Sequence, residues 1–134
     1  MSNVLFNAGR EGFLDGSIDW DTDDIRVMLV RSTYTFDATD KFVSDLGAVD
    51  NGRSAALASK TVTDGVADAA DSSLTTSLAV ACSALAIFKH TGSDATARLI
   101  AYIDTPSAGL PFTPSAGQPV SLIWDNGANR IFKL

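Results

Sequence analysis

The sequence predicts a mainly β protein, an antiparallel β-sandwich or partly closed barrel with one or two short helices. Three observations lead there. Of the 16 acidic residues 15 are Asp and only Glu11 is Glu, while Lys numbers four and Gln one, against 12 Thr and 14 Ser. Asp bonds locally to backbone and favours turns and caps, whereas Glu, Lys and Gln favour helix interiors. Short apolar runs recur, separated by the turn dipeptides Asp64-Gly65 and Asn126-Gly127, which are hairpin signals. Finally, no repeat of about 20–50 residues and no shift in composition divides the 134 residues, so residues 1–134 read as one domain. The 19 alanines are the one feature that pulls toward helix.

Residues 3–14 suit a short helix through Val4, Leu5 and Ala8, weakened by Gly9 and Gly12; segment 1–16 is thus a short helix or an N-terminal arm. The Asp-rich stretch 15–24 reads as connected turns. Ile25–Arg31 reads as a strand with Ile25, Val27 and Leu29 on one face and Arg26, Met28 and Val30 on the other, so both sides are expected to be partly covered. Thr39 is placed to cap a short helix that turns Phe42, Val43 and Leu46 inward and stops at Gly47.

A strand is expected over Arg53 to Thr63, turning at Asp64-Gly65 into Val66–Ala69, because both central residues of a type I′ turn need positive φ. A second hairpin pairs 85–90 with 98–104. The stretch 106–119 holds all four prolines and reads as a long irregular loop. The last two runs, 120–124 and 130–134, flank Asn126-Gly127 and are expected to form a third hairpin.

Composition and motifs exclude more chemistry than they suggest. A net charge of −6 disfavours nucleic acid, whose phosphates need a surplus of Lys and Arg. The longest near-apolar run, Leu78 to Phe88, falls short of the roughly 20 residues a membrane helix needs. The N-terminus lacks the order of a secretory signal, so a soluble protein made in the cytoplasm, without membrane contact, is expected. One cysteine, Cys82, leaves no disulfide framework and no cysteine-cluster metal site, and its apolar neighbours protect rather than activate the thiol. His90 is the sole imidazole, and neither a Gly-x-Ser-x-Gly elbow nor a phosphate loop is present. No catalytic residue and no cofactor are assigned, and a non-enzyme is expected. Asp19, Asp21 and Asp23 have the alternation of a calcium loop, but Asp24 stands where such a loop needs Gly and Val30 where it needs Glu. A solvated turn with Trp20 folded into the core is the preferred reading; a weak divalent-ion site is the alternative.

The loop 106–119 is either a binding segment, since structureless loops of that length are often functional, or a rigid connection with little role beyond spanning the sheets. Leu110, Pro111, Phe112 and Pro114 are its apolar, preorganised partner-contact candidates, alongside segment 1–16 and unpaired strand edges. A carbohydrate-binding module is a competing reading and would need Trp20, Tyr34 and Phe112 exposed.

Segments 18–30 (Ile-Asp-Trp-Asp-Thr-Asp, then Ile-Arg-Val-Met-Leu-Val), 98–104 and 123–134 resemble small structural proteins of tailed bacteriophages. Proteins of that kind look like capsid decoration (cement) or minor head proteins. The resemblance implies a virion protein on the head exterior, bound as a homotrimer or other homo-oligomer to the major capsid protein, with no catalytic residues to carry over. A tail or head-fibre component is the runner-up within that class.

Overall fold

The computed structural model describes residues 4–104, 110–124 and 130–134. The chain is mainly β, with antiparallel sheets that do not close into a barrel; the arrangement is sandwich-like. Its elements are β1 (Val4–Leu5), α1 (Asn7–Asp15), β2 (Ile25–Arg31), a 3-10 turn (Val43–Leu46), β3 (Asp50–Arg53), β4 (Thr61–Thr63), β5 (Val66–Asp68), β6 (Ser72–Thr75), β7 (Cys82–Lys89), β8 (Arg98–Ile103), β9 (Pro119–Leu122) and β10 (Phe132–Lys133).

Five strands in the order β1-β8-β7-β2-β3 form the central sheet. β2 and β7 run side by side from Ile25 opposite Lys89 to Arg31 opposite Cys82. The alternation along β2 is used on both sides. Ile25, Val27 and Leu29 join Ile87, Ala101 and Ile103 in one cluster; Met28 and Val30 join Ala84, Ala86, Phe88, Leu99 and Tyr102 in a second. Side chains of successive strand residues point to opposite faces, so a strand apolar on both faces must be covered twice. The first face is roofed by a three-stranded sheet, β10-β5-β4, and a two-stranded sheet, β6-β9. The second is covered by the segment after β2, whose Tyr34, Phe36, Val43, Leu46 and Val49 pack with Phe6. A register shift at Ile87/Phe88 sets Ile100 and Ala101 on the same side, the signature of a bulge.

α1 lies against β8 because its contact side has almost no side chain. Ala8, Gly9 and Gly12 are buried, and a Cβ on Gly9 would stand 2.5 Å from the Ile100 carbonyl oxygen. The helix ends at Gly16 in the left-handed conformation, φ 79°, which glycine adopts without steric cost.

Several sequence expectations change. The helix of 3–14 begins later, at Asn7, because Val4 and Leu5 are spent pairing with Tyr102 and Ala101. The short helix after Thr39 is capped from Phe42, where the Asp45 carboxylate accepts the backbone N–H groups of Lys41 and Phe42, both 2.9 Å. The strand over Arg53 to Thr63 is two strands, β3 and β4, divided after Ser54, whose side chain accepts the Val27 N–H at 3.0 Å; Leu57 then drops into the core. The 120–124 and 130–134 runs do not pair with each other: β9 pairs with β6 and β10 with β5. Their Asn126-Gly127 turn lies outside the described residues. The Asp64-Gly65 hairpin forms as expected, with φ 53° and 78° at its two central residues.

Candidate functional site

Trp20 organises the first surface of interest. The turns of 17–24 fold it inward until it is 3% exposed, and its indole N–H donates to the Asp68 carbonyl at 3.0 Å. Its ring meets Phe132 edge-on at 5.2 Å, and Phe132 meets Phe13 at 5.7 Å. In register, Val62 and Phe132 flank Ala67 across the small sheet. Together these walls enclose an open apolar depression of about 230 Å³, reached also by Ile18 and Leu134, with Asp19 on its lining. Val62 and Leu134 are 56% and 61% exposed. Ligand sites usually measure about 300–1,000 Å³; this smaller, open hollow suits an apolar side chain of a partner, the kind of seat that anchors an interface.

The aspartates beside it are occupied by one another. Asp23 Oδ2 accepts the Asp19 N–H at 2.8 Å and meets Lys89 Nζ at 3.1 Å. A hydrogen bond between the side chains of Asp19 and Asp21 lowers the pKa of Asp19, while that bond and the Asp19 charge raise the pKa of Asp21. Among the described residues no group of three His, Cys, Asp or Glu side chains converges as a metal site.

The loop candidates are drawn into the body more than the sequence suggests. Phe112 and Cys82 exchange backbone hydrogen bonds at 2.8 and 3.0 Å, and Leu110 and Phe112 lean on the first core cluster. Pro114 is buried, so it offers no surface to a partner; Pro111 is exposed, and Leu110 and Phe112 are half-buried. Further along, Thr76 Oγ1 donates to the Ser115 carbonyl at 2.6 Å and accepts the Gln118 N–H at 2.9 Å. Residues 110–119 are therefore part of the scaffold, and Pro119 begins β9. Positions 106–109 of the loop lie outside the described residues.

Other singled-out residues scatter. Cys82 is fully buried, with Asn51 Nδ2 3.2 Å from its sulfur. His90 is half-buried just beyond β7, its backbone N–H donating to Asp24. Tyr34 sits in an aromatic group with Phe6, Phe36 and Tyr102; burial pushes its phenol pKa up, keeping it a neutral donor to Asp40 at 2.8 Å. Trp20 is thus unavailable to a sugar and Tyr34 only half-exposed. The three aromatics a carbohydrate platform would need do not gather on one open face.

The depression itself escaped sequence reasoning, because its walls come from α1, the 17–24 turns, the β4-β5 hairpin and the C-terminal strand. The single available signal was Asp64-Gly65, which fixes the hairpin that carries Val62. No helix among the described residues is long and apolar enough to cross a membrane. No protein-family model, no curated protein and no solved structure matches the chain.

Proposed function

We propose that this chain is a structural protein of a tailed phage particle, a decoration protein that binds the major capsid lattice as an oligomer and stabilises the head. The observation that carries the reading is the apolar depression with its exposed rim of Val62 and Leu134, set on a body whose central sheet is already filled on both faces. Apolar groups left at such a rim gain only when another protein covers them. The resemblance of segments 18–30, 98–104 and 123–134 to small phage structural proteins supplies the kind of partner. An acidic exterior, net −6, is repelled by packaged DNA and suits the outer surface of a head. Contacts made only in the assembled shell stabilise that shell by linkage, about 2.7 kcal/mol when the free protein stands at 100 times its dissociation constant.

The test is on particles. Phage purified from a lysate encoding the chain should contain it in many copies per head, and heads lacking it should open at lower temperature. Label found on the tail would move the assignment to a tail or fibre component. Purified particles devoid of the chain would reject the reading.

A further inference from the structure

We propose that β4 is a self-pairing edge through which two copies of this chain join antiparallel across a two-fold axis centred on Val62. β4 is the outer strand of the three-stranded sheet, and Thr61, Val62 and Thr63 are all exposed. Among the described residues no backbone hydrogen bond reaches it from its outer side. Edges are commonly blunted by shortness, a charge, a proline or a bulge; Thr-Val-Thr is short, at three residues, but carries no charge, proline or bulge.

The hairpin geometry fixes which groups face outward. Its two-residue turn makes Thr63 and Val66 the closing hydrogen-bonded pair, and Thr61 and Asp68 the next one along. Val62, between them, therefore turns its N–H and C=O away from β5 to the open edge. A second copy laid antiparallel with its own Val62 opposite exchanges both of those bonds.

Charge selects that second copy as the occupant. The strand with its neighbours reads Lys60-Thr61-Val62-Thr63-Asp64. Reversed against itself about Val62, it sets Thr61 opposite Thr63 twice and Val62 opposite Val62, and it brings each Lys60, just before β4, to the end of the pairing where Asp64 of the other copy opens its turn. Opposite charges across an antiparallel pair are favourable and like charges unfavourable, so any register in which Lys60 met Lys60 would be penalised. Such an isologous contact closes after two copies. Val62 lies in register with Ala67 and Phe132, so the pairing also brings two apolar depressions together into one groove. The inference stands whether or not the chain belongs to a phage particle.

The whole chain is used for the test. Sedimentation velocity over a rising concentration series should show the 14.0 kDa monomer passing to a dimer. Val62→Pro removes the outward N–H while leaving the β4-β5 bonds intact, and should weaken the dimer at least about tenfold with an unchanged circular dichroism spectrum. Mild oxidation of a mixture of Thr61→Cys and Thr63→Cys proteins should give disulfide-linked heterodimers, and neither variant alone should link efficiently. Directly opposed strand residues lie about 4.5–5.5 Å apart at Cα, within disulfide reach, whereas diagonal ones exceed it. Cys82, fully buried, does not compete. A monomer at every concentration, a dimer indifferent to Val62→Pro, or linking no better in the mixture than in the single variants would each overturn the proposal.

Discussion

Asn51→Asp isolates the energetic role of a buried amide without changing its size. Asn51 is fully buried on β3. Its Nδ2 donates to the Leu78 carbonyl at 3.0 Å and approaches Cys82 Sγ at 3.2 Å, while its Oδ1 accepts the Leu78 N–H at 2.8 Å. The amide thereby holds the irregular segment 76–81 against the sheet. Aspartate keeps the acceptor but places a second oxygen against the Leu78 carbonyl. As a carboxylate it would be desolvated and repelled; as a neutral acid its O–H can donate to that carbonyl. The folded variant therefore takes up a proton. At pH 7, keeping an aspartate neutral costs about 4 kcal/mol, given an ordinary pKa of about 3.9 and about 1.4 kcal/mol per unit. The folded-state pKa is raised, so the deficit grows with pH above 3.9 until ionisation in place costs less. Urea unfolding of wild type and variant at matched pH should give a difference near 4 kcal/mol at pH 7, shrinking by about 2.7 kcal/mol at pH 5. A difference below about 1 kcal/mol at pH 7, or one that ignores pH, would show that the amide's bonds do not hold this segment.

Three further outcomes are expected. Arg53, paired with Asp94 through two 2.8 Å bonds, lowers the Asp94 pKa; Arg26 does the same to Asp24, and the Phe42 and Lys41 N–H groups to Asp45. Depressed folded-state pKa values give stability that is present above the ordinary 3.8 and lost as pH falls through the folded values, so melting temperature should drop below about pH 4, less steeply in Arg53→Leu. Gly9→Ala should destabilise by about 1 kcal/mol or more in urea titration, because the Cβ clash with Ile100 outweighs a helix-propensity gain of about 1 kcal/mol; greater stability would refute the close approach. Leu134→Lys should change stability by no more than about 0.5 kcal/mol yet reduce attachment to phage heads measured by co-sedimentation, since Leu134 is 61% exposed on the depression's rim.

Legibility followed the range of the interactions. Ile25–Arg31 was readable because seven residues alternate between two apolar faces, and Asp64-Gly65 because positive φ has few sequence solutions. Asn126-Gly127 carries an equally strong local signal, yet the runs on either side pair with β6 and β5. Each apolar segment there gains more from the roof over the first core than from its chain neighbour. Trp20 lies in the core, as its place in a solvated turn just before a strand predicts. Pro114 alone among the loop candidates is buried, which the sequence does not show, because an apolar, proline-fixed side chain looks the same in sequence whether it awaits a partner or fills the protein's own interior. Nothing local distinguishes Val62 in the sequence; its meaning depends on which strand happens to end the sheet.

The double-sided central sheet also governs how the molecule comes apart. β2 and β7 are a party wall: Val27 and Met28, adjacent in sequence, belong to opposite clusters. A loosening that begins under the small sheets must shift the same backbone that seats Met28 and Phe88, so neither cluster can melt while the other stays solid. Calorimetry should accordingly record one transition with matching calorimetric and van't Hoff enthalpies, although the roof over one side is made of separate small sheets, one of them only two strands and too slight to persist by itself.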